Sequence, residues 1–294
     1  MHQPIISSFQ TPSLSGLIIK DDRTPFETLP GILEFSSNLP QTERVISAVK
    51  NDTSPIPQTK DREYYHGDEH AAWWLNGLDD MHGILGTAAR LDINTSGLTY
   101  FEMGCASGRV VRHFAHQTDA KIWCADINLR HTEWIRKFLP PHIKAFNNTA
   151  FPYLPIESNS VDIASAFSVF THIDDLELMW IAELARIIRP GGMAYITVQT
   201  ENTWEKYKTG WIKDVLMPMA SVIPDYEIGL HTFEEPLPKE KTVYWWQTRT
   251  VYNSTVFHTT DYLRREWSRF FNVIEIIPNG STYQDVIVLQ KYQI

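Results

Sequence analysis

Residues 100–110, "YFEMGCASGRV", decide how the rest of the sequence is interpreted. Two glycines, Gly104 and Gly108, flank a run of small residues that follows an apolar segment carrying one carboxylate, Glu102. Small residues let the backbone come close to a ligand, and a helix that begins here would present free N–H groups. The spacing departs from the G-x-G-x-x-G pattern of dinucleotide-binding turns. The stretch therefore predicts a strand-to-helix turn that binds a ligand other than a dinucleotide.

Strand-like and helix-like segments alternate from this turn onward. Five apolar runs predict strands: "LTYFEM" (98–103), "AKIWCAD" (120–126), "IKAFNN" (143–148), "VDIASAFSV" (161–169) and "GGMAYITVQ" (191–199). The segments "GRVVRHFAHQ", "NLRHTEWIRKFL" and "DLELMWIAELARIIR" predict helices. Such alternation is typical of a doubly wound α/β fold with a mostly parallel sheet. Two further strand-like runs around Pro278-Asn279-Gly280 predict a closing hairpin instead of a crossover.

The regions outside this alternation have a different character. Residues 1–60 are rich in turn formers and predict an N-terminal arm on the domain of residues 61–294, with "TERVISAVK" as a short helix. A longer helix is expected after Asp68, which would cap it, and its buried face would carry Trp74, Leu78, Met81, Leu85 and Ala88. Residues 201–258 are too long for an ordinary loop, and their aromatic content predicts a cap insertion.

Composition narrows the classes of protein that the chain can represent. Hydrophobic residues make up 43% of the chain and charged residues 21%, as is usual for a soluble globular protein. No apolar run is long enough to span a bilayer and the N-terminus lacks a signal-like leader, so we expect a cytoplasmic protein without a membrane partner. Acidic residues outnumber basic ones 35 to 26, a net charge of −9, which disfavours a nucleic-acid substrate. Two cysteines, Cys105 and Cys124, allow at most one disulfide.

In a doubly wound sheet, ligands bind outside the carboxyl ends of the strands, so the residues that follow each strand are the candidates for a site. Asp126 follows the second strand, where a carboxylate can accept hydrogen bonds from both hydroxyls of a ribose. Amide side chains that follow the third strand could recognise an adenine edge. The candidates are Glu102, Gly104, Cys105, Ala106, Ser107 and Gly108, then Asp126, then Asn147 and Asn148, then Ser168.

These segments resemble the class I S-adenosylmethionine-dependent methyltransferases. "FEMGCASGR" resembles the first motif of that family, an acidic residue followed by spaced glycines, and "CAD" resembles its ribose-binding segment. "LPIESNSVDIASAFSVFTHI" and "LARIIRPGGMAYI" are similar to the segments at its fourth and fifth strands. The resemblance covers roughly residues 98–200 and 258–291. It implies a Rossmann-like sheet of seven strands whose C-terminal hairpin supplies an antiparallel seventh strand.

The resemblance also implies S-adenosyl-L-methionine as the cofactor. Glu102 would hold the amino end of the cofactor, the backbone of 104–108 would face its methionine portion, Asp126 would bind the ribose, and Ile127 would lie against the adenine. Asn148 would contact the adenine amino group. Two departures stand out: Ala106 replaces the middle glycine, and Asn147-Asn148 replace an acidic residue common at the adenine edge.

The predicted reaction is methyl transfer to an oxygen or nitrogen of a small molecule, such as a sugar or an aromatic natural product. Alignment of the nucleophile is the main task of the protein, and an alcohol acceptor also benefits from a base near neutral pH. His172, in "SVFTHI" beyond the fourth strand, is the candidate base, although a packing or capping histidine explains it equally. The sequence leaves open the acceptor and whether the chain forms a homo-oligomer.

Other residues allow a functional and a structural interpretation. Tyr65 and His66, with Tyr64, could form a lid over the ligand or pack the N-terminal arm. "HGDEH" (66–70) could hold a metal, but a helix start explains it as well and we expect no metal. Trp245 and Trp246 could stack on an acceptor or pack inside the cap. Cys105 fits a small turn residue better than a nucleophile.

Two other classes of function compete with a methyltransferase. A nicotinamide-dependent dehydrogenase predicts a G-x-G-x-x-G turn and a parallel final strand. A catalytically silent partner or scaffold protein of the same fold would bind the cofactor without turnover.

Overall fold

The computed structural model describes residues 24–210, 232–245 and 254–293. Its main feature is a seven-stranded sheet. The strands are β3 (Thr99–Met103), β4 (Lys121–Asp126), β5 (Lys144–Asn147), β6 (Val161–Ala166), β7 (Ile188–Val198), β10 (Phe271–Ser281) and β11 (Gln284–Lys291). Their order across the sheet is β10-β11-β7-β6-β3-β4-β5. β3, β4 and β5 pair in parallel, and β11 pairs antiparallel with both β7 and β10. The mixed sheet with its antiparallel C-terminal hairpin confirms the predicted fold class.

Helices follow the strands as their amphipathic patterns predict. In the part of the chain that the structure describes, they are α1 (Glu43–Asn51), α2 (His70–Arg90), α3 (Val111–Gln117), α4 (Leu129–Phe138), α5 (Glu177–Ile187), α6 (Glu201–Lys206) and α7 (Thr260–Trp267). The N-cap of α4 is Asn128, whose side chain accepts a hydrogen bond from the backbone N–H of Arg130. None of these helices is long and apolar enough to cross a membrane.

The chain divides into two compact units. Among the described residues, the first unit contains the chain up to Asn148 together with Ser160–Ser165, and the second contains Thr149–Asn159 and the chain from Ala166 onward. The turn of residues 104–108, β3, β4 and β5 all belong to the first unit. Ser168 and His172 belong to the second.

The start of α2 differs from the prediction. Asp68 is not its N-cap: the helix begins at His70, its N-cap is Glu69, and no side chain caps it. The Asp68 carboxylate instead accepts a hydrogen bond of 2.8 Å from the Thr59 hydroxyl. Of the predicted buried face, Trp74, Leu78, Met81 and Ala88 are buried, while Leu85 is half-buried.

Gly77 of α2 is needed for close packing, although glycine is unfavourable inside a helix. A Cβ at Gly77 would lie 2.1 Å from the carbonyl oxygen of Arg109, which directly follows the 104–108 turn. A Cβ at Gly86 of the same helix would meet nothing within 4 Å. Gly77 therefore lets α2 pack directly against the backbone next to the turn.

The described part of the N-terminal region carries regular structure. The predicted short helix is confirmed as α1, and two short strands, β1 (Thr28–Gly31) and β2 (Pro55–Pro57), pair antiparallel. Asp52, the C-cap that follows α1, is buried, and its carboxylate lies 2.7 Å from Nε of the equally buried Arg112. It also accepts a hydrogen bond from the indole N–H of Trp74. This buried ion pair anchors α1 to α2 and α3, while the domain boundary at residue 60 stays a prediction.

The C-terminal hairpin is confirmed, but its turn lies later than predicted. Pro278-Asn279-Gly280 belongs to β10, whose pairing with β11 is irregular between Ile277 and Ser281. The connection is made by Thr282 and Tyr283, with Thr282 in the left-handed region at φ 54°. The turn-forming tripeptide thus makes a bulge within the strand, and the reversal follows it.

The described parts of residues 201–258 form local structure within the second unit. β8 (Lys241–Trp245) pairs antiparallel with β9 (Ser254–His258). The buried aromatic side chains of Trp204, Tyr207, Phe233 and Phe257 form one cluster. Their packing agrees with an aromatic-rich insertion, and its role as a cap stays a prediction.

Candidate functional site

The turn of residues 104–108 is held against the end of the neighbouring strand. The backbone N–H groups of Gly104 and Cys105 both donate to the carbonyl of Ala125, at 2.8 and 3.1 Å. Gly104 and Gly108 lie at φ 70° and 85°, where a side chain is strained. A Cβ at Gly108 would also lie 2.6 Å from Cδ1 of Leu139. Both glycines are therefore required by the backbone of the turn.

Ala106, in the place of the middle glycine, adopts the left-handed conformation as well, at φ 44°. This conformation costs a non-glycine residue on the order of 1 kcal/mol. Its N–H donates a 2.8 Å hydrogen bond to Oδ2 of Asp126, which helps to offset that cost. The predicted ribose-binding carboxylate is therefore bonded directly to the glycine turn.

Asp126 is 6% exposed and is oriented by several neighbours in the first unit. Besides the Ala106 N–H, it accepts a 2.8 Å hydrogen bond from the backbone N–H of Asn128, onto Oδ1. The ring of His131 lies 3.4 Å from Oδ1. Burial opposes a charge on His131, yet the adjacent Asp126 carboxylate raises its pKa above the ordinary value. A carboxylate has about four lone-pair positions, so Asp126 keeps acceptor capacity for a hydroxyl-bearing ligand.

Glu102 is a buried carboxylate with little support from the protein. Its side chain is 2% exposed, and Oε2 accepts one hydrogen bond, of 3.1 Å, from the backbone N–H of Val111. Burial raises the pKa of Glu102 to about 8, even though the charge of Arg109 acts in the opposite direction. A cationic group placed beside this carboxylate would relieve the cost of ionising it. The position therefore fits the ammonium group of a ligand.

The residues that follow β4 and β5 complete this edge of the sheet. Ile127 is half-buried. Asn147 uses both ends of its amide within the protein, because Nδ2 donates to the Asp126 carbonyl and Oδ1 accepts from the Thr132 hydroxyl. Asn148 is 7% exposed, and its backbone N–H donates to the Asp126 carbonyl at 3.3 Å. Of the two asparagines, Asn148 is the better candidate for recognising a ligand.

Cys105 and Ser107 have structural partners. Both cysteines of the chain are buried and free, and burial followed by the hydrogen bond with Cys124 raises the pKa of Cys105. A buried thiol with a raised pKa is a poor nucleophile. The Ser107 hydroxyl donates to the carbonyl of Asp61, so the turn is fixed to the segment before α2.

The segment before α2 lies close to the turn and contains residues that sequence patterns did not single out. Arg109 pairs with Asp80 of α2 at 2.5 Å, and its guanidinium lies over the ring of Tyr65, 5.6 Å from the ring centroid. Tyr65 contacts His66 edge-on, with the ring centroids 4.5 Å apart. Arg62 is buried in the same segment. Arg109 directly follows Gly108 of the turn, and this position is the feature of the sequence from which its place near the site could have been predicted.

The same segment contains "HGDEH" (66–70). Nδ1 of His70 lies 2.7 Å from Nη2 of Arg62. No three His, Cys, Asp or Glu side chains are arranged to hold a metal ion in the part of the chain that the structure describes.

The remaining candidates belong to the second unit. The Ser168 hydroxyl donates to Oε1 of Gln284 at 3.0 Å. His172 Nδ1 lies 2.6 Å from the Ser254 carbonyl, and the Ser254 hydroxyl donates to the His172 carbonyl, also at 2.6 Å. Because a carbonyl only accepts, Nδ1 of a neutral His172 carries the proton and Nε2 is the basic nitrogen. Trp245 is the last residue of β8, and Trp246 lies outside the described residues.

Comparison with known proteins finds a methyltransferase domain in the chain. Residues 101–196 match a family model described as a methyltransferase domain. No curated protein matches the chain in sequence. A SAM-dependent methyltransferase from Mesorhizobium loti is 14% identical, with a TM-score of 0.50, and the alignment covers 71% of this chain and 98% of that one.

Two other solved structures have slightly lower TM-scores. The 1,6-didemethyltoxoflavin-N1-methyltransferase of Burkholderia thailandensis is 12% identical, with a TM-score of 0.49 and coverage of 94% of this chain and 98% of that one. A S-adenosylmethionine-dependent methyltransferase from Clostridium acetobutylicum is 8% identical, with a TM-score of 0.48 and coverage of 73% and 91%. Residues 101–196 therefore form a methyltransferase domain, and the mixed seven-stranded sheet that contains them has the fold of a solved S-adenosylmethionine-dependent methyltransferase.

Proposed function

We propose that the chain binds S-adenosylmethionine at the carboxyl ends of β3, β4 and β5 and methylates an oxygen or nitrogen of a small molecule. The observation that carries this proposal is Glu102, a buried carboxylate with one protein hydrogen bond and a pKa raised by burial. It stands two residues before a turn whose backbone is bonded to Asp126. The turn of residues 104–108 thus lies between Glu102, which could bind an ammonium group, and Asp126, which could bind hydroxyl groups.

The residues at this edge fit the parts of the cofactor. Glu102 would accept the amino group, the backbone of 104–108 would face the methionine chain, and Asp126 would accept the ribose hydroxyls. Ile127 would pack on the adenine and Asn148 would contact its amino group. Asn147 would support Asp126 through the amide bond to its carbonyl.

Bound S-adenosylmethionine supplies a methyl group that is already activated on a sulfonium. The protein therefore has to align the acceptor and, for an alcohol or phenol, to remove a proton. His172 suits that second task, because the Ser254 carbonyl fixes the tautomer in which Nε2 accepts. The acidic balance of the chain, 35 residues against 26, favours a small acceptor over a polyanionic nucleic acid.

Titration of the purified protein with S-adenosylhomocysteine tests the binding half of the proposal. We expect saturable binding, and Asp126→Ala should weaken it by roughly tenfold or more, because one buried acceptor pair for the ribose is lost. Asp126→Asn keeps an acceptor and should lose less. Absence of binding at millimolar ligand would overturn the proposed function, and unchanged affinity in Asp126→Ala would overturn the ribose assignment.

Methyl transfer from labelled S-adenosylmethionine to a panel of small alcohols, phenols and amines tests the catalytic half. With a hydroxyl acceptor, His172→Ala should slow turnover by roughly 10²-fold or more while S-adenosylhomocysteine affinity stays unchanged. His142→Ala, at an exposed histidine, is the matched control and should behave like the wild type. Full activity of His172→Ala on a hydroxyl acceptor would leave His172 a structural residue.

A further inference from the structure

Arg62 is a buried cation whose hydrogen-bonding capacity is only partly used. It ends the short 3₁₀ helix Thr59–Arg62, and the residue is 2% exposed. Its Nη2 donates to the Gly67 carbonyl at 2.5 Å and lies 2.7 Å from Nδ1 of His70. Nε and Nη1 are enclosed but have no hydrogen-bond partner among the residues that the structure describes. Buried charged donors without acceptors are rare, because each loses its water without replacement.

This cation is fixed next to the glycine turn by the residue that precedes it. The Asp61 carbonyl accepts a hydrogen bond from the hydroxyl of Ser107, inside the turn. The Asp61 carboxylate accepts a 2.6 Å hydrogen bond from Nε of Arg130. These two contacts hold Asp61, and with it the backbone of Arg62, at the turn. The second carboxylate oxygen of Asp61, Oδ2, is buried and accepts no hydrogen bond from the residues that the structure describes, those of Arg62 included.

The surroundings of Arg62 also favour an anion. The charge of Asp68 acts on Arg62, and the guanidinium lies 5.4 Å from the centroid of the Trp73 ring, but neither accepts a hydrogen bond from Nε or Nη1. Nε2 of the neighbouring His66 is another enclosed atom without a hydrogen-bond partner among the described residues. Burial, and then the charges of Arg109 and Arg62, lower the pKa of His66 to about 4. Two guanidinium groups therefore act on His66, and the ring of the neutral histidine has an enclosed Nε2 with which a ligand could hydrogen-bond.

We propose that Arg62, assisted by His66, binds the carboxylate of the cofactor's amino acid end. The inference rests on the proposed function, in which Glu102 takes the amino group of the same end. An α-amino acid carries opposite charges one carbon apart, so a site with an acidic group for one needs a cationic group for the other. The glycine turn connects Glu102 with Arg62. It follows Glu102 at the end of β3, and its Ser107 is bonded to Asp61, the residue before Arg62.

A pair of ligands separates this role from a purely structural one. S-adenosylhomocysteine and its decarboxylated analogue, S-adenosyl-3-thiopropylamine, differ only in the carboxylate. Calorimetric titration of the wild type should show that the decarboxylated analogue binds roughly 10- to 100-fold more weakly. In Arg62→Gln, S-adenosylhomocysteine should lose that same factor, the analogue should bind as it does to the wild type, and the preference should disappear.

Lys60→Gln is the matched control, because it removes one positive charge from the same 3₁₀ helix at a more exposed position. It should leave both affinities within about twofold.

If Arg62→Gln weakens the binding of both ligands equally, or if the preference for S-adenosylhomocysteine persists in this variant, the inference is wrong and Arg62 only stabilises residues 63–70. If Arg62→Gln changes only the KM of a carboxylated acceptor, the anion belongs to the acceptor, which also overturns the inference. A wild type that binds neither ligand removes the proposed function and this inference with it, whereas the other failures leave the proposed function standing.

Discussion

Two buried glutamates, one in each unit, are treated in opposite ways by their surroundings. Glu102 in β3 is 2% exposed and accepts one hydrogen bond, and burial raises its pKa to about 8. Glu177, the first residue of α5, is 1% exposed but lies 2.7 Å from Nζ of Lys241 and accepts a 2.6 Å hydrogen bond from the Trp267 indole. Burial acts against its charge, yet His258 and Lys241 lower the pKa of Glu177 to about 2.

The difference separates a carboxylate that stabilises the fold, Glu177, from one that we propose binds a ligand, Glu102. Equal burial gives opposite pKa shifts because the number of nearby donors decides whether the charge is compensated. Glu177 has its cations within the protein, so its charge contributes to folding. The charge of Arg109 does not outweigh the burial of Glu102, so the charge of Glu102 opposes folding, and we propose that a cationic ligand compensates it. Functional sites commonly reduce the stability of a fold in this way.

The largest expected effect on stability is that of replacing Glu177, the carboxylate whose charge is compensated within the protein. Glu177→Leu removes the buried carboxylate that pairs with Lys241 and accepts from the Trp267 indole, so we expect the free energy of unfolding to fall by about 3–5 kcal/mol. Urea denaturation at pH 7 measures this. Glu205→Leu is the control, since Glu205 forms an exposed ion pair with Lys208 at 2.8 Å and should change stability by less than about 1 kcal/mol. Equal effects of the two substitutions would contradict the comparison.

Glu102→Gln should change stability in the opposite direction. The pKa of Glu102 is about 8 in the folded protein against a model value of 4.5, so the protonated form favours folding. Its contribution is present below pH 4.5 and is lost as the pH rises through 8. Glutamine cannot ionise, so without ligand the variant should match the wild type near pH 4.5 and exceed its stability by roughly 3 kcal/mol at pH 7. Urea curves of both proteins between pH 4.5 and 9 test this, and a constant difference across that range would count against an uncompensated Glu102.

Local patterns were sufficient to predict the strands and the glycine turn at which we propose that the cofactor binds. β3, β4 and β5 are short apolar runs, and the 104–108 turn owes its shape to two glycines and the small Ala106 within five residues. The Asp68 cap was wrong because the Thr59 hydroxyl, nine residues earlier, occupies the carboxylate. The reversal of the hairpin was misplaced because an irregularity inside a strand and a turn use the same residue types.

Contacts between distant residues carry the features that sequence patterns did not reveal. Arg62 is significant only because Asp61 meets Ser107, 46 positions away. The tautomer of His172 depends on Ser254, 82 positions away. No spacing rule connects such pairs. Candidate binding residues at the strand ends can therefore be predicted from the sequence, whereas the distant residues that orient their side chains cannot.

The central claim, that Glu102 receives the amino group of the cofactor, is tested most directly by proton linkage. S-adenosylhomocysteine should be titrated calorimetrically from pH 5.5 to 8, in buffers with different heats of ionisation. If an ammonium binds to ionised Glu102, the wild type must release a proton on binding. Affinity should then rise by up to about tenfold per pH unit, with close to one proton released near pH 6.5. Glu102→Gln should bind more weakly and without this dependence. A wild-type affinity that does not change with pH, or the same slope in Glu102→Gln, would contradict the account.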